Sequence, residues 1–342
     1  MQTCRRVVLF GAGASAGARS EPCPPLGHEL LNYVADYLEK VGGPIEWDLS
    51  KLKNRIGTEP LRSFEHLANH LSSCPERDLL PQLNFLMACA MTPPLNVDPR
   101  VNDAFIEQRD VYDDFLQKNF AMNNERFHTS FITLNYDCLL ERAICRSFFN
   151  GPQDGESRCR CTHVNYRIKS SESKGIEVLK PHGSINWVGN ILGGGPNQPS
   201  LNYFEPEPHD DRPSYTDIEI VSSPIGKSGD PEGLVIATYA PGKEPQSNPK
   251  QLFAIQENAK SYAREAVFVE IIGLHLPTEG SNDDPFLCEL LKLMADRVEA
   301  GCRVIYVNPD DDEIKRARDY YHFETVQKTF QDYVESTCCV MR

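Results

Sequence analysis

Five short stretches of this chain carry groups suited to polar chemistry. Gly11-Ala12-Gly13-Ala14-Ser15 opens a turn in which Gly11, Gly13 and Ala16 fit the spacing G-x-G-x-x-A. That spacing lets backbone N–H groups approach a pyrophosphate, and a side chain at either glycine would obstruct the approach. Asn135-Tyr136-Asp137 places an amide and a carboxylate two residues apart. His182-Gly183-Ser184 supplies an imidazole, which exchanges a proton near neutral pH. Gly273-Leu274-His275 and Asn308-Pro309 add a second glycine turn, a second histidine and a second amide. Each has a plain structural reading as well. Gly-Ala-Gly after a strand is often only a tight turn, Asn-Tyr-Asp is usually a helix cap, and a strand-final Asn-Pro is usually a stop.

Their positions along the chain make them more than a scatter. Each follows an apolar run. Val7 to Phe10 is continuous and apolar, as expected of a strand covered on both faces of a parallel sheet. Ser130 to Leu134, Ile176 to Pro181, Ala266 to Ile272 and Arg303 to Val307 read as further strands, largely apolar with one or two polar residues each. In open parallel sheets ligands sit outside the carboxyl ends of the strands, so the five turns are expected to face one crevice. The fold class implied is α/β, a Rossmann-like parallel sheet with helices on both faces.

The connecting segments fill in this plan. Pro22, Pro24 and Pro25 follow the first turn. They oppose a helix there, so a loop, with the character of a flap, is expected before a helix over His28 to Glu39. Residues 45–125 read as a helical insertion for packing or oligomer contacts, with a surface helix over Asn102 to Phe120. Residues 150–175 read as a loop or small hairpin, and 189–232, rich in Gly, Pro, Asn and Asp, as a long loop region. Gln251 to Arg264 is helical, and Asp284 with Pro285 caps a helix running to about Ala300. The whole of 1–342 is expected to form one domain.

Composition narrows the function classes. Net charge is −14, from 35 basic and 49 acidic residues, which disfavours a nucleic-acid backbone as the main partner. The 12 cysteines contain no C-x-x-C pair, so a zinc ribbon has no knuckles and no metal is expected. Free thiols in a reducing cytoplasm are the simplest reading. No stretch approaches the roughly 20 apolar residues of a membrane span.

The order Gly-Ala-Gly-Ala-Ser, then Pro, Thr-Leu-Asn-Tyr-Asp, Lys-Pro-His-Gly-Ser-x-x-Trp, Ile-Ile-Gly-x-x-Leu-Pro and Val-Asn-Pro resembles the sirtuin-like NAD-consuming domains. The match is closest to their bacterial branch that hydrolyses NAD in anti-phage defence, and it spans residues 6 to about 310. The resemblance implies NAD as substrate. Gly11, Ala12, Gly13, Ala14 and Ser15 would cradle the pyrophosphate. Asn135 and Asp137 would lie beside the nicotinamide and its ribose, with His182 next to that ribose. Gly273 and His275 would lie in the turn under the dinucleotide, and Asn308 near the adenosine ribose. Asn135 and His182 are the implied catalytic pair. A homo-oligomer or a regulatory protein is the implied partner.

Two departures from the family pattern stand out. His275 occupies a position where the family often has serine or threonine. The missing zinc knuckles argue against the family's protein deacylases and favour plain NAD hydrolysis. A deacylase and a non-catalytic NAD or ADP-ribose sensor remain the alternatives. A hydride-transfer enzyme fits less well, because prolines follow the first turn and no acid after a second strand is placed for the adenosine ribose.

Overall fold

A computed structural model describes residues 4–17, 30–40, 110–123, 127–148, 164–167, 175–189, 218–220, 234–236, 250–278 and 284–336, with isolated helical positions between 51 and 87. The proline-rich stretch expected as a flap, most of the expected 45–125 insertion before residue 110, and residues 150–163, 190–217 and 221–233 lie outside the described residues.

Strand β1 (Cys4–Phe10) sits in the middle of a seven-stranded sheet. On one side lie β2 (Phe127–Thr133), β4 (Ile176–Leu179) and the edge strand β3 (Val164–Asn165). On the other lie β8 (Ala266–Ile272), β9 (Arg303–Val307) and β10 (Glu324–Val326). All the pairings in this sheet are parallel. The chain builds one half outward from β1, then returns to β8 beside it. The β1/β8 boundary is therefore the topological switch point, where crevices open in such sheets.

Both faces of β1 are covered, as its apolar run requires. Phe10 packs its ring on Tyr112 and Phe115 of helix α3 (Val111–Asn123) and on Phe330 of α8 (Phe330–Ser336). On the opposite face Arg5 lies over the ring of Tyr262, in α5 (Lys250–Glu265). Helix α6 (Pro285–Glu299) packs against α5, and α4 (Leu139–Phe148) against α3. A buried ion pair interrupts this part of the core: Arg6 donates from Nε to Glu270 at 2.8 Å, and Tyr333 donates to the same carboxylate at 2.7 Å. Inside the sheet such a group is tolerable only with its partners in place.

Several expectations change in detail. A five-residue helix, α1 (Ala12–Ala16), follows β1 directly, so the first turn is a helical turn rather than the start of a loop. Helix α2 (Leu30–Lys40) then matches the expected helix within two residues at its start. The run expected as a surface helix is α3, and it is buried, with Tyr112, Phe115 and Leu116 in the core. Its acids serve locally: Asp110 Oδ1 accepts from the Tyr112 and Asp113 amides, and Asp113 Oδ2 accepts from the Asp110 amide. The run from Ile176 towards Trp187 is broken. Gly183, at φ +84, turns the chain out of the main sheet into β5 (Gly183–Gly189). This strand pairs antiparallel with β6 (Ile218–Ile220) and β7 (Leu234–Ile236) in a second, three-stranded sheet. Among the described residues no helix is long and apolar enough to cross a membrane.

The turns after β1 and β8 touch backbone to backbone. A Cβ on Gly273, at φ +63, would lie 2.2 Å from the Ala14 nitrogen, whereas one on Gly301, at φ +88, meets nothing within 4 Å. Gly301→Ala is expected to cost about 1–2 kcal/mol, the left-handed penalty alone. Gly273→Ala should cost at least about 2 kcal/mol more, because backbone must move. Urea denaturation of both variants separates the conformational cost from the contact.

Candidate functional site

The crevice is built from the turn after β1 outward. The Gly13 amide donates to the Gly273 carbonyl at 2.8 Å, and the Gly11 amide donates to the Ile272 carbonyl at 3.0 Å. A Cβ on Gly11 would lie 2.5 Å from Leu274 Cα, and one on Gly13 2.9 Å from the Gly273 oxygen. The glycines are thus required by the close approach of two turns, before any ligand is considered. Ala12, at the start of α1, is exposed, while Ala14 and Ser15 are buried.

Asn135 closes this turn from the β2 side. Its Nδ2 donates to the Gly11 carbonyl at 3.0 Å and to Ser15 Oγ at 2.8 Å. A carbonyl can only accept, so the contact with Gly11 fixes which way the amide points. Oδ1 of this buried side chain is left as an acceptor. Ser15 Oγ also lies 2.9 Å from the Tyr112 hydroxyl. Burial, followed by the charge of Asp137, pushes that phenol well above its ordinary range and keeps it neutral. Ser15 is therefore a buried link between the first turn, Asn135 and α3.

Asp137 Oδ1 accepts from the Leu139 amide at 3.0 Å and so caps α4. Its backbone carbonyl accepts from Lys180 Nζ, which also donates to Glu141 at 2.9 Å. Lys180 and Glu141 are fully enclosed. Burial alone would lower the Lys180 ammonium, but the Glu141 charge overcomes it and the net displacement is upward. A charged lysine thus ties the Asn135–Asp137 turn to the end of β4.

Two residues beyond Lys180, His182 lies beside this turn. Its ring centroid is 6.4 Å from that of Tyr136 and 6.3 Å from that of Phe286. Its Nε2 is 2.9 Å from Oδ2 of Asp284. The next turn is braced by Asn308, whose Nδ2 donates to the Leu274 carbonyl and to the Tyr306 hydroxyl, both at 3.0 Å. Asn308 Oδ1 accepts from the Asp310 amide.

The expected residues Gly11, Gly13, Ser15, Asn135 and Gly273 therefore form one connected set at the switch point. Asp137 and His182 sit beside it, and Asn308 supports it from behind the Gly273 turn. His275 is engaged by a different partner. It is exposed, and its Nδ1 lies 2.8 Å from Glu313 in α7 (Asp311–Asp319). Sequence reasoning missed Lys180, Glu141 and Tyr112, whose partners are far apart in the chain. It saw Asp284 only as a helix cap, although the cap spacing was the signal that placed it.

No protein-family model matches the chain, and no curated protein matches it. Solved structures give distant likenesses. A Sir2 homologue mutant in complex with ADP-ribose is 12% identical at a TM-score of 0.42, over 99% of this chain and 94% of that one. A Sir2 homologue–NAD complex is 15% identical at a TM-score of 0.41, over 97% of this chain and 86% of that one. At such scores the assignment of the site rests on its own geometry.

The His275–Glu313 pair sets a pH dependence. The bond to Glu313 raises the His275 imidazole above its ordinary 6.5, against a smaller opposing effect of burial. Burial pushes the Glu313 carboxyl up, but the bonds from His275 and the Leu276 amide prevail and hold it below 4.5. A raised histidine stabilises the fold below its unfolded value and loses that contribution as pH rises through the folded value. A lowered carboxyl contributes above its unfolded value and loses it as pH falls through the folded one. The pair therefore contributes most between about pH 4.5 and 6.5. His275→Ala should be less stable than wild type at about pH 5.5 and converge on it by about pH 9. Urea midpoints across pH check this.

Proposed function

We propose that this chain is an NAD hydrolase of sirtuin-like type, cleaving the nicotinamide–ribose bond as part of anti-phage defence. The observation that carries the reading is Asn135: its amide is tied to the Gly11 carbonyl and Ser15, at the carboxyl ends of adjacent strands, with His182 beside the same turn. A glycine turn that meets a dinucleotide phosphate is thereby joined to groups that handle water and protons.

The reaction needs little from the protein at the leaving group, because nicotinamide departs neutral from a cationic ring. The transition state has oxocarbenium character, as in glycoside hydrolysis. Asn135 Oδ1 accepts a hydrogen bond from the attacking water and orients it to the anomeric carbon. His182 accepts the proton that the water sheds as the new C–O bond forms. The carboxylate of Asp137 favours the positive charge that develops on the ribosyl ring. The products are nicotinamide, ADP-ribose and one proton.

The proposal also includes the Gly11–Ser15 turn and Gly273 as the pyrophosphate cradle. Exposed Ala12 is the accessible part of this turn, while the Gly11 and Gly13 amides already donate to the Ile272 and Gly273 carbonyls and shape the cradle rather than bind the phosphate. His275, facing Glu313, has no role in this cradle. Asn308 acts on it through the Leu274 carbonyl.

NAD consumption without any acylated peptide tests the reading, assayed over a range of protein concentrations because assembly can switch such enzymes on. Asn135→Ala and His182→Ala should each lower kcat by about 10²-fold or more. Full turnover in both variants removes the site assignment. Nicotinamide release only with an acyl-lysine peptide establishes a deacylase instead, and a thermal shift with NAD but no cleavage establishes a sensor.

A further inference from the structure

Asp284 carries two contacts at once. It is the N-cap of α6: its Oδ1 accepts from the Leu287 amide at 2.9 Å, its backbone carbonyl accepts from the Cys288 amide at 3.0 Å, and Pro285 follows at the first helical position. These bonds fix the carboxylate plane to the helix axis. The second oxygen, Oδ2, is then left 2.9 Å from Nε2 of His182. Both side chains are largely enclosed, at 15% and 11% exposure. Phe286, the residue two beyond the cap, places its ring edge-on to the imidazole at 72°, and Tyr136 bounds the imidazole at 39°.

We infer that Asp284 is a positioning residue for His182, one that sets the imidazole as the Nε2–H tautomer and so makes Nδ1 the nitrogen that exchanges the proton. The chemistry is that of donor and acceptor inventory. A carboxylate oxygen accepts and does not donate, so the ring nitrogen facing it carries hydrogen. The other nitrogen then keeps its lone pair. The contact is at hydrogen-bond distance with the N–H not yet in line with the oxygen. A rotation about χ2, a soft torsion in histidine, aligns it, and such bonds commonly tighten when ligand arrives. The capping duty makes Asp284 well suited to this. A carboxylate on a free loop would lose rotamer entropy to hold the ring, whereas this one is already ordered by α6.

Substitution can separate the two duties. Asp284→Asn keeps the cap, because asparagine serves as well as aspartate there. Its Oδ1 must still face the Leu287 amide, which turns Nδ2 towards His182. A donor now meets Nε2, and the ring must switch to the Nδ1–H tautomer. Asp284→Ser also keeps the cap but is too short to reach His182.

Long-range ¹H–¹⁵N spectra of ¹⁵N-histidine protein read the tautomer directly, with the His182 signals assigned by their loss in His182→Gln. The expected result is Nε2–H in the wild type and Nδ1–H in Asp284→Asn, with both Asp284 variants melting close to wild type. The kinetic arm rests on the proposed NAD hydrolysis: kcat should fall by about 10²-fold or more in both variants, with KM for NAD nearly unchanged, since the equivalent tautomer swap in a Ser-His-Asp triad costs on the order of 10⁴ in kcat. The same tautomer in wild type and Asp284→Asn overturns the inference, as does wild-type kcat in a folded Asp284→Asn or Asp284→Ser. If the wild type consumes no NAD, the hydrolase reading fails on its own, and the tautomer still decides the role of Asp284.

Discussion

The contact between two glycine turns, Gly11–Gly13 against Gly273, is the constraint on which the site depends. It lies at the β1/β8 boundary, where the sheet changes direction of growth. The parallel ladder does not stop at the strand ends there. Gly11 bonds Ile272, Gly13 bonds Gly273, Gly273 bonds Val307, and on the far side Leu134 bonds Phe10. Each turn is therefore held in register with its neighbour by main-chain bonds, before any side chain acts. That register presents the Gly11 carbonyl to Asn135 and the Leu274 carbonyl to Asn308. A side chain at any of the three glycines would force the two turns apart, since the colliding atoms include backbone.

Behind the turns the molecule places charge where burial makes it costly. Lys180 with Glu141, and Arg6 with Glu270, are enclosed pairs whose desolvation their attraction only roughly offsets. What such pairs provide is direction. Lys180 has one donor on Glu141 and another on the Asp137 carbonyl, so the turn that holds Asn135 cannot drift relative to the turn that holds His182. Tyr166, which donates to Glu141 at 3.1 Å, fixes the carboxylate in turn. An apolar contact of equal area would hold the two strand ends together without setting their orientation.

The legible parts of the fold are those decided locally. The apolar runs at Val7, Ala266 and Arg303 mark their strands, because strands covered on both faces need continuous hydrophobic sequence. The α6 cap is legible because aspartate followed by proline satisfies the orphan N–H groups within one turn. Helix α3 passes for a surface helix in sequence because Asp110, Asp113 and Asp114 read as solvated charges, while two of them are consumed by local backbone bonds. The first helical turn is hidden by the prolines at 22, 24 and 25, which constrain the chain beyond Gly17 and not the five residues before it. The elements after Asn308 escape sequence reasoning altogether, and the packing of Phe330 on Phe10 joins residues 320 positions apart. Lys180, Glu141 and Tyr112 are invisible for the same reason: their roles exist only once distant strands are adjacent.

The opposition between a capping residue and a site residue loses its force here. Asp137 caps α4 and Asp284 caps α6, each with one carboxylate oxygen. A cap engages Oδ1 and leaves Oδ2 uncommitted by the helix. Asn135 divides its amide similarly, with Nδ2 spent on the first turn and Oδ1 kept. In each case the structural bond removes the rotational freedom that the second atom would otherwise lose on meeting a partner. Strand-end turns followed by helices supply such half-used side chains by construction, because the helix needs a cap at the very place where the sheet opens its crevice. A sequence signal for a cap at the carboxyl end of a parallel strand is therefore no argument against function. It marks a side chain whose remaining polar atom is already aimed.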